Sequence, residues 1–277
     1  MRHRHHVTAA VLLTAAASLT ACGSGSGSTV AAGCKPAHQF ETVESGTLSV
    51  ATYDLPPFTK VVGQNLTGVD GDILEAVTKK ECLTIKVTSM SAAAVIPTVQ
   101  SGRADVAAGN WYRTSARAEI VNLSDPMYTD QMAFISKDGV SSVSQLVGKE
   151  VGTVDGYLWV DDIKKVLGSS VKVYPTTLNM NQDLKAGRIE IGIDSYGSGK
   201  FNNPNLKVEV TKPDERVKAS LQGAQSSFPI PRSNTALLKA MNADIAEMHS
   251  SGDMAKILTA NNLPASAADT GSPSLIG

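Results

Sequence analysis

Beyond its first 21 residues the sequence offers two histidines, three cysteines and thirteen aromatic side chains for specific chemistry. His38 precedes the first predicted strand and His249 falls in the last predicted helix, so neither is placed to move a proton in a central cleft. There is no GxSxG, HExxH or CxxC pattern and no phosphate-binding glycine loop, so nucleophilic hydrolysis and zinc chemistry have no constellation to use. No metal site and no cofactor is expected. The aromatics are better placed. Tyr53, Trp111, Tyr112, Tyr157, Trp159 and Tyr196 all fall close to predicted strand ends. Such a cluster can stack an apolar group or face a cation. Each also suits a core, Trp159 above all, because it lies at helical spacing with Ile163 and Val166. Asp54 and Asp130 are candidate partners for a basic group, and Asp70-Gly71-Asp72 has the spacing of a helix start more than of a calcium loop.

The elements that must position these residues follow from periodicity. From Thr47 onward, alternation and helical spacing take turns, the pattern of βα units and an α/β fold. Leu48 and Val50 alternate in a first strand; Ile73, Leu74 and Val77 share a helix face; Leu83, Ile85 and Val87 alternate again. Val95, Ile96 and Val99 predict a helix in which Pro97 is tolerated only in the first turn. A short segment then occurs twice: Ser101-Gly102-Arg103-Ala104-Asp105-Val106-Ala107 and Ala186-Gly187-Arg188-Ile189-Glu190-Ile191-Gly192 each combine a helix stop, a basic turn, an acid and a strand. Two lobes of similar construction are expected, residues 46–136 with 226–263 and residues 137–225, because a lone strand and helix after Gln225 must return to the first lobe. A tail follows at 264–277. Two crossings, near 136–137 and 225–227, would form a hinge. Ligands of open parallel sheets sit beyond the carboxyl ends of strands, which points to Asn110 to Arg117 on one lobe and Asp194 to Tyr196 on the other.

The beginning of the sequence reads as an address. Arg2 and Arg4 precede an apolar stretch from Val7 to Leu19, and Leu19-Thr20-Ala21-Cys22 follows. This resembles the signal and lipobox of bacterial lipoproteins, with residues 1–21 removed and Cys22 acylated. Residues 22–45, opened by the polar run Gly23 to Thr29, are expected to be a flexible tether holding the protein to a membrane. The sequence has 25 basic and 26 acidic side chains; without Arg2 and Arg4, 23 basic remain, and this acidic balance argues against nucleic acid as a partner. With Cys22 taken by lipid, Cys34 and Cys82 are natural disulfide partners in an oxidising compartment.

Several stretches together resemble the family 3 extracellular solute-binding proteins of bacterial ABC importers, the polar amino-acid type. They are Pro56-Pro57-Phe58, Gly68-Val69-Asp70-Gly71-Asp72-Ile73, Ile96 to Asp105, Arg117 followed by Leu123-Ser124-Asp125-Pro126-Met127-Tyr128, Leu146 to Gly152, Leu184 to Arg188 leading into Ile193-Asp194, and Gly252 to Ile257. The resemblance implies a type II periplasmic-binding-protein-like fold, with two lobes of mostly parallel sheet closing on a small zwitterion. It implies a monomer that hands an amino acid or analogue to an ABC permease. Arg117 matches the family arginine for the ligand carboxylate, and Asp194 the acid for its ammonium group. Gly156 and Tyr157, in Asp155-Gly156-Tyr157-Leu158, match a segment whose backbone N–H groups face the carboxylate. The pocket departs from the family around Leu55, Met90 and the Asn110-Trp111-Tyr112 stretch. A dehydratase or lyase on the same fold, and a sensor for a membrane receptor, are the alternative functions.

Overall fold

Residues 30–277, together with Met1, are described by the computed structural model; the signal stretch, Cys22 and the Gly23–Thr29 run lie outside the described residues. Leu48 and Val50 are buried in a strand, Thr47–Thr52, at the centre of a three-stranded sheet. Both neighbours run parallel to it: Thr84–Ser89 with Leu48 opposite Ile85, and Val106–Ala107 with Val50 opposite Val106. Parallel neighbours need crossover helices, and the chain supplies them as Val69–Lys80 and Ala92–Gln100. The first buries Ile73, Leu74 and Val77, with Asp70 and Asp72 in its first turn and Lys79 and Lys80 in its last, matched to the helix dipole. The second buries Val95 and Val99. Pro97, expected in the first turn, is the sixth residue of this helix, because the helix starts at Ala92 behind an extended Ser91. Thr98 donates its hydroxyl to the carbonyl of Ala94 at 2.9 Å beside the position where the proline has no N–H to give.

A second sheet has the order Val171–Tyr174, Val151–Val154, Ile191–Ser195, Met132–Ser136, Lys207–Val210. Its first two pairings are parallel and its last two antiparallel. The crossing expected near 136–137 is therefore earlier: Met132–Ser136 pairs with Ile191–Ser195 inside the second sheet, as its unbroken apolar run allows. The repeated segment does the same job in both sheets. Gly102 and Gly187 both take φ +71° after a helix. Asp105 N–H donates to Ser49 O at 2.9 Å while its carboxylate accepts from Ser49 N–H at 2.8 Å. Glu190 N–H likewise donates to Glu150 O at 2.8 Å, and its carboxylate accepts from Glu150 N–H at 3.4 Å. In each case the acid locks its own strand to the start of the neighbouring one.

Two segments cross between the lobes side by side. Ala224–Ser227 runs antiparallel to Thr129–Asp130 and to Trp111–Tyr112. Beyond it, Phe228, Ile230 and the Thr235–Ser251 helix, through Leu237, Met241, Ile245 and Met248, join the core built on Leu48 and Val50. The C-terminal residues then return to the crossing. Gln225 donates to the carbonyls of Thr270 and Ser272 at 2.8 and 2.7 Å and accepts from Ser274 N–H at 2.8 Å. Ile276 brackets the chain at Arg113 and Ser115 and is buried among Tyr112, Met132 and Phe134.

The expected tether does not stay free as far as residue 45. Cys34 and Cys82 form a disulfide with their Cα atoms 5.8 Å apart. Val43 N–H donates to Asp105 at 2.8 Å, and His38 meets Glu81. These contacts fasten the segment to the first lobe. Gln225→Ala removes three hydrogen bonds between a crossing strand and the C-terminal residues, and should cost about 2–3 kcal/mol in denaturant unfolding. Carboxypeptidase should then trim residues 270–277 quickly; unchanged trimming would mean that Gln225 does not hold the tail.

Candidate functional site

Between the two sheets, the first lobe presents a loop that follows Val106–Ala107. Its shape is set from below by Asp70, which is fully buried in the first turn of its helix. One carboxylate oxygen accepts from Gly109 N–H at 2.7 Å and Asn110 N–H at 3.0 Å, and the other accepts from the Tyr128 hydroxyl at 2.6 Å. With its two N–H groups drawn to one oxygen, the turn takes φ +137° at Gly109 and +54° at Asn110. Glycine is required at the first position, where a Cβ would lie 2.5 Å from the Tyr53 ring. Tyr53 donates its hydroxyl to Gly109 O at 3.0 Å. The chain then enters the Trp111–Tyr112 strand and a short helix, Ser115–Ile120, capped by Thr114, which accepts from Arg117 N–H at 3.1 Å.

Arg117 reaches back from that helix. Its Nη1 donates to Tyr112 O at 2.7 Å and its guanidinium lies 4.9 Å over the Trp111 ring. No carboxylate among the described residues stands within salt-bridge distance of it. Burial of the guanidinium pulls its pKa down to about 10. A desolvated cation with no protein counter-ion favours an anionic ligand.

The second lobe answers with Asp194 at the end of Ile191–Ser195. It is fully buried, accepting from Ser195 N–H at 2.7 Å and the Ser198 hydroxyl at 2.9 Å. Burial is the main cause that raises its pKa to about 7. Ser195 caps the following helix, Tyr196–Asn202. Tyr157 bonds Thr177 at 3.0 Å, and Trp159 donates to Thr153 at 2.8 Å. Within the first lobe Tyr53 is 5.6 Å from Trp111, and rings of the two lobes meet where Tyr53 is 6.3 Å from Tyr157 and Tyr112 is 6.4 Å from Trp159.

The five rings, with Leu55, Asn110, Arg117, Gly156, Leu158, Asp194 and Ser195, line a narrow cavity of about 30 Å³. The lobes are shut over it, since a Cβ on Gly156, at φ +82°, would lie 2.7 Å from Ala93 N across the cleft. Asn110 Oδ1, Trp111 Nε1 and the Tyr112 hydroxyl are buried without hydrogen-bond partners. Orphaned polar atoms cost free energy, and three of them in one cavity wall suit a polar ligand.

Of the sequence-predicted site residues, Arg117, Asp194, Trp111, Asn110, Tyr53, Gly156 and Tyr157 come together here. Tyr196 does not: as the first residue of its helix it turns from the cavity toward Lys200, whose Nζ lies 5.9 Å from its ring. The Asp155-Gly156-Tyr157-Leu158 stretch is no helix start, because the helix begins at Val160 and Tyr157 N–H turns back to Val154 O at 3.3 Å. Asp54 is paired with Lys60 at 2.7 Å on the surface, and Asp130 is occupied by the Asn110 amide at 2.6 Å. Met90 is outside the cavity, bonded by the Thr98 hydroxyl. Ser195 falls within the Asp194 to Tyr196 range expected at the cleft, and it lines the cavity.

The family model of the bacterial extracellular solute-binding proteins, family 3, matches residues 48–261. The chain belongs to this family. It is similar to the arginine-binding extracellular protein ArtP of Bacillus subtilis, 26% identical over 246 residues that cover 86% of this chain and 90% of that protein. Among solved structures it is similar to an ancestral arginine-binding protein bound to arginine, with TM-score 0.68 and 28% identity over 78% of this chain and 97% of the other. It is likewise similar to an amino-acid ABC transporter substrate-binding protein, AbpA, of Streptococcus pneumoniae bound to L-arginine, with TM-score 0.69 and 26% identity over 78% and 94%.

Because Asp70 holds the turn that carries the first-lobe wall, Asp70→Ala should cost about 2–4 kcal/mol by leaving buried donors without a partner. The amides of Gly109 and Asn110 should exchange with deuterium far faster than in the wild type. Protection retained at both would remove Asp70 from that role.

Proposed function

We propose that the cleft, parted from its narrow state, holds one α-amino acid, its carboxylate on the Arg117 guanidinium and its ammonium group near Asp194, for delivery to an ABC permease. The observation that carries this reading is charge: among the cavity-lining residues Arg117 is the one cation and Asp194 the one anion, contributed by opposite lobes. A zwitterion satisfies both and ties the lobes together. The same balance selects the side chain. A basic amino acid brings a second positive charge for which no lining carboxylate remains, and the five lining rings offer cation–π attraction of only about 0.5–2 kcal/mol. Asn110 Oδ1, Trp111 Nε1 and the Tyr112 hydroxyl favour a neutral, polar side chain instead. The arginine seen in relatives is therefore not the expected cargo.

Binding rather than catalysis is the reading favoured for this site. Asp194 is the one lining group whose pKa is near neutrality, a value that suits proton transfer. The cavity offers it no second acid or base of matching strength, since burial drives the lining tyrosines upward.

Titration calorimetry across the amino acids should give one site per chain, tighter for neutral polar zwitterions than for arginine or lysine. Arg117→Ala should weaken it by about a hundredfold or more. An ammonium group needs the ionised carboxylate, which prevails above about pH 7 and is lost below, so affinity should fall about tenfold per pH unit as pH drops from 7 to 5. A flat pH profile would detach Asp194 from the ligand, failure of every zwitterion to bind would end the proposal, and conversion of the bound ligand to a product would make the protein an enzyme.

The lipid anchor at Cys22 and a monomeric state belong to the same proposal. No helix among the described residues is long and apolar enough to cross a membrane. With the fold pinned at Cys34, residues 23–33 would supply the reach. Cys22→Ser should move the protein from the membrane to the soluble fraction and abolish palmitate labelling; a wild-type chain that takes up no lipid would exclude the anchor.

A further inference from the structure

On the face of the first lobe away from the cleft, three side chains from distant parts of the sequence converge. His38 lies in the N-terminal segment, Glu81 follows the Val69–Lys80 helix, and Asp244 is in the Thr235–Ser251 helix. His38 Nδ1 is 2.6 Å from Glu81 Oε1, and one ligand-type atom of each of the three residues lies within 4.8 Å of the others. The Glu81 side chain is fully buried and Asp244 is 2% exposed, whereas the His38 side chain remains 32% exposed and leaves a route from solvent.

Asp244 is the informative member. Its Oδ2 has no hydrogen-bond partner, although the residue is buried, and its Oδ1 meets only Lys80. Lys80 Nζ stands 2.8 Å from Oδ1 as an ion pair, but the same ammonium also reaches Glu247 and is itself partly exposed. Two buried carboxylates thus share the neighbourhood of one partly exposed ammonium, an arrangement that is costly without a further cation. The neighbouring disulfide makes the cluster rigid: Cys82 adjoins Glu81, and its partner Cys34 is four residues from His38.

We propose that His38, Glu81 and Asp244 form a binding site for a divalent transition-metal cation of the zinc class. One imidazole nitrogen with two carboxylate oxygens is a donor set for zinc, cobalt or manganese, whereas calcium and magnesium prefer oxygen alone. Ligand bonds of about 2.0–2.2 Å place donor atoms roughly 3.3 Å apart in a tetrahedron, so the His38–Glu81 contact opens by less than about 1 Å and the Asp244 carboxylate draws in. Water takes the fourth position through the exposed side of His38. The ion joins the N-terminal segment to the helix that completes the first lobe, a structural clip beside the disulfide and independent of the solute cleft.

The test uses residues 23–277 with the disulfide intact, which contain the whole described fold and lack the histidines at positions 3, 5 and 6. After treatment with chelator, zinc chloride should bind one to one with micromolar or tighter affinity and raise the melting temperature by several degrees. Calcium chloride should do neither. His38→Gln should weaken zinc binding by about a hundredfold, within the range for loss of a ligand group, while the Gln amide N–H can still donate to Glu81 in the metal-free protein. Asp244→Asn should lose the zinc-induced rise, while Arg117→Ala should keep it. Absence of saturable zinc binding by the wild type would overturn the proposal, as would full zinc affinity in His38→Gln, which would assign the metal to other groups or leave His38 as an imidazolium bridging two acids.

Discussion

One buried carboxylate organises the binding half of this molecule. Asp70 begins a helix in the first lobe and draws Gly109 N–H, Asn110 N–H and the Tyr128 hydroxyl onto its two oxygens. Left to itself, a turn with positive φ at Asn110 would be unfavourable for a residue with a side chain. Held by Asp70, it sets the start of Trp111–Tyr112, the direction of the Ser115–Ile120 helix and so the reach of Arg117. Tyr128 carries the same constraint toward the crossing strands, since it directly precedes Thr129–Asp130 and its ring stacks on Phe58 at 5.5 Å.

The cleft above this support is formed by charges that the protein does not neutralise itself. Arg117 spends one donor on a backbone carbonyl and lies on an indole face; Asp194 is held by donors of its own helix start. Each lobe thus keeps one charge in a poorly solvated wall, and the walls are lined with rings that cannot screen it. Closure brings them over a common space, and the absence of a side chain at Gly156 lets the second lobe come within van der Waals range of the Ala93 backbone.

How much of this was legible in the sequence depended on whether a local pattern carried the information. The βα series, the repeated segment and the return of the last helix to the first lobe rest on periodicity and on helix stops, and the fold contains them. Arg117 and Asp194 could be named because a family motif surrounds them. Tyr196 was misjudged because adjacency in sequence says nothing of direction, and at a helix start the next side chain turns away from its neighbour. The lobe boundary at Ser136 was misplaced because Met132–Ser136 is apolar throughout and reads equally well in either sheet; its partner Ile191–Ser195, nearly 60 residues on, decides the matter. The convergence of His38, Glu81 and Asp244 had no sequence signal at all, since the three residues belong to three separate elements.

The return of the chain after Ser227 bears on when this protein can fold. The first lobe begins at Thr47, but its core is finished only by Phe228, Ile230 and the helix that ends at Ser251, and the crossing strand Ala224–Ser227 is fastened by residues as late as Ile276. The second lobe is contiguous and has its strands in hand much sooner. As the chain emerges from the N-terminus, the half that starts first is therefore the half that is completed last. A native first lobe, and with it a complete solute cleft, thus waits for the whole chain.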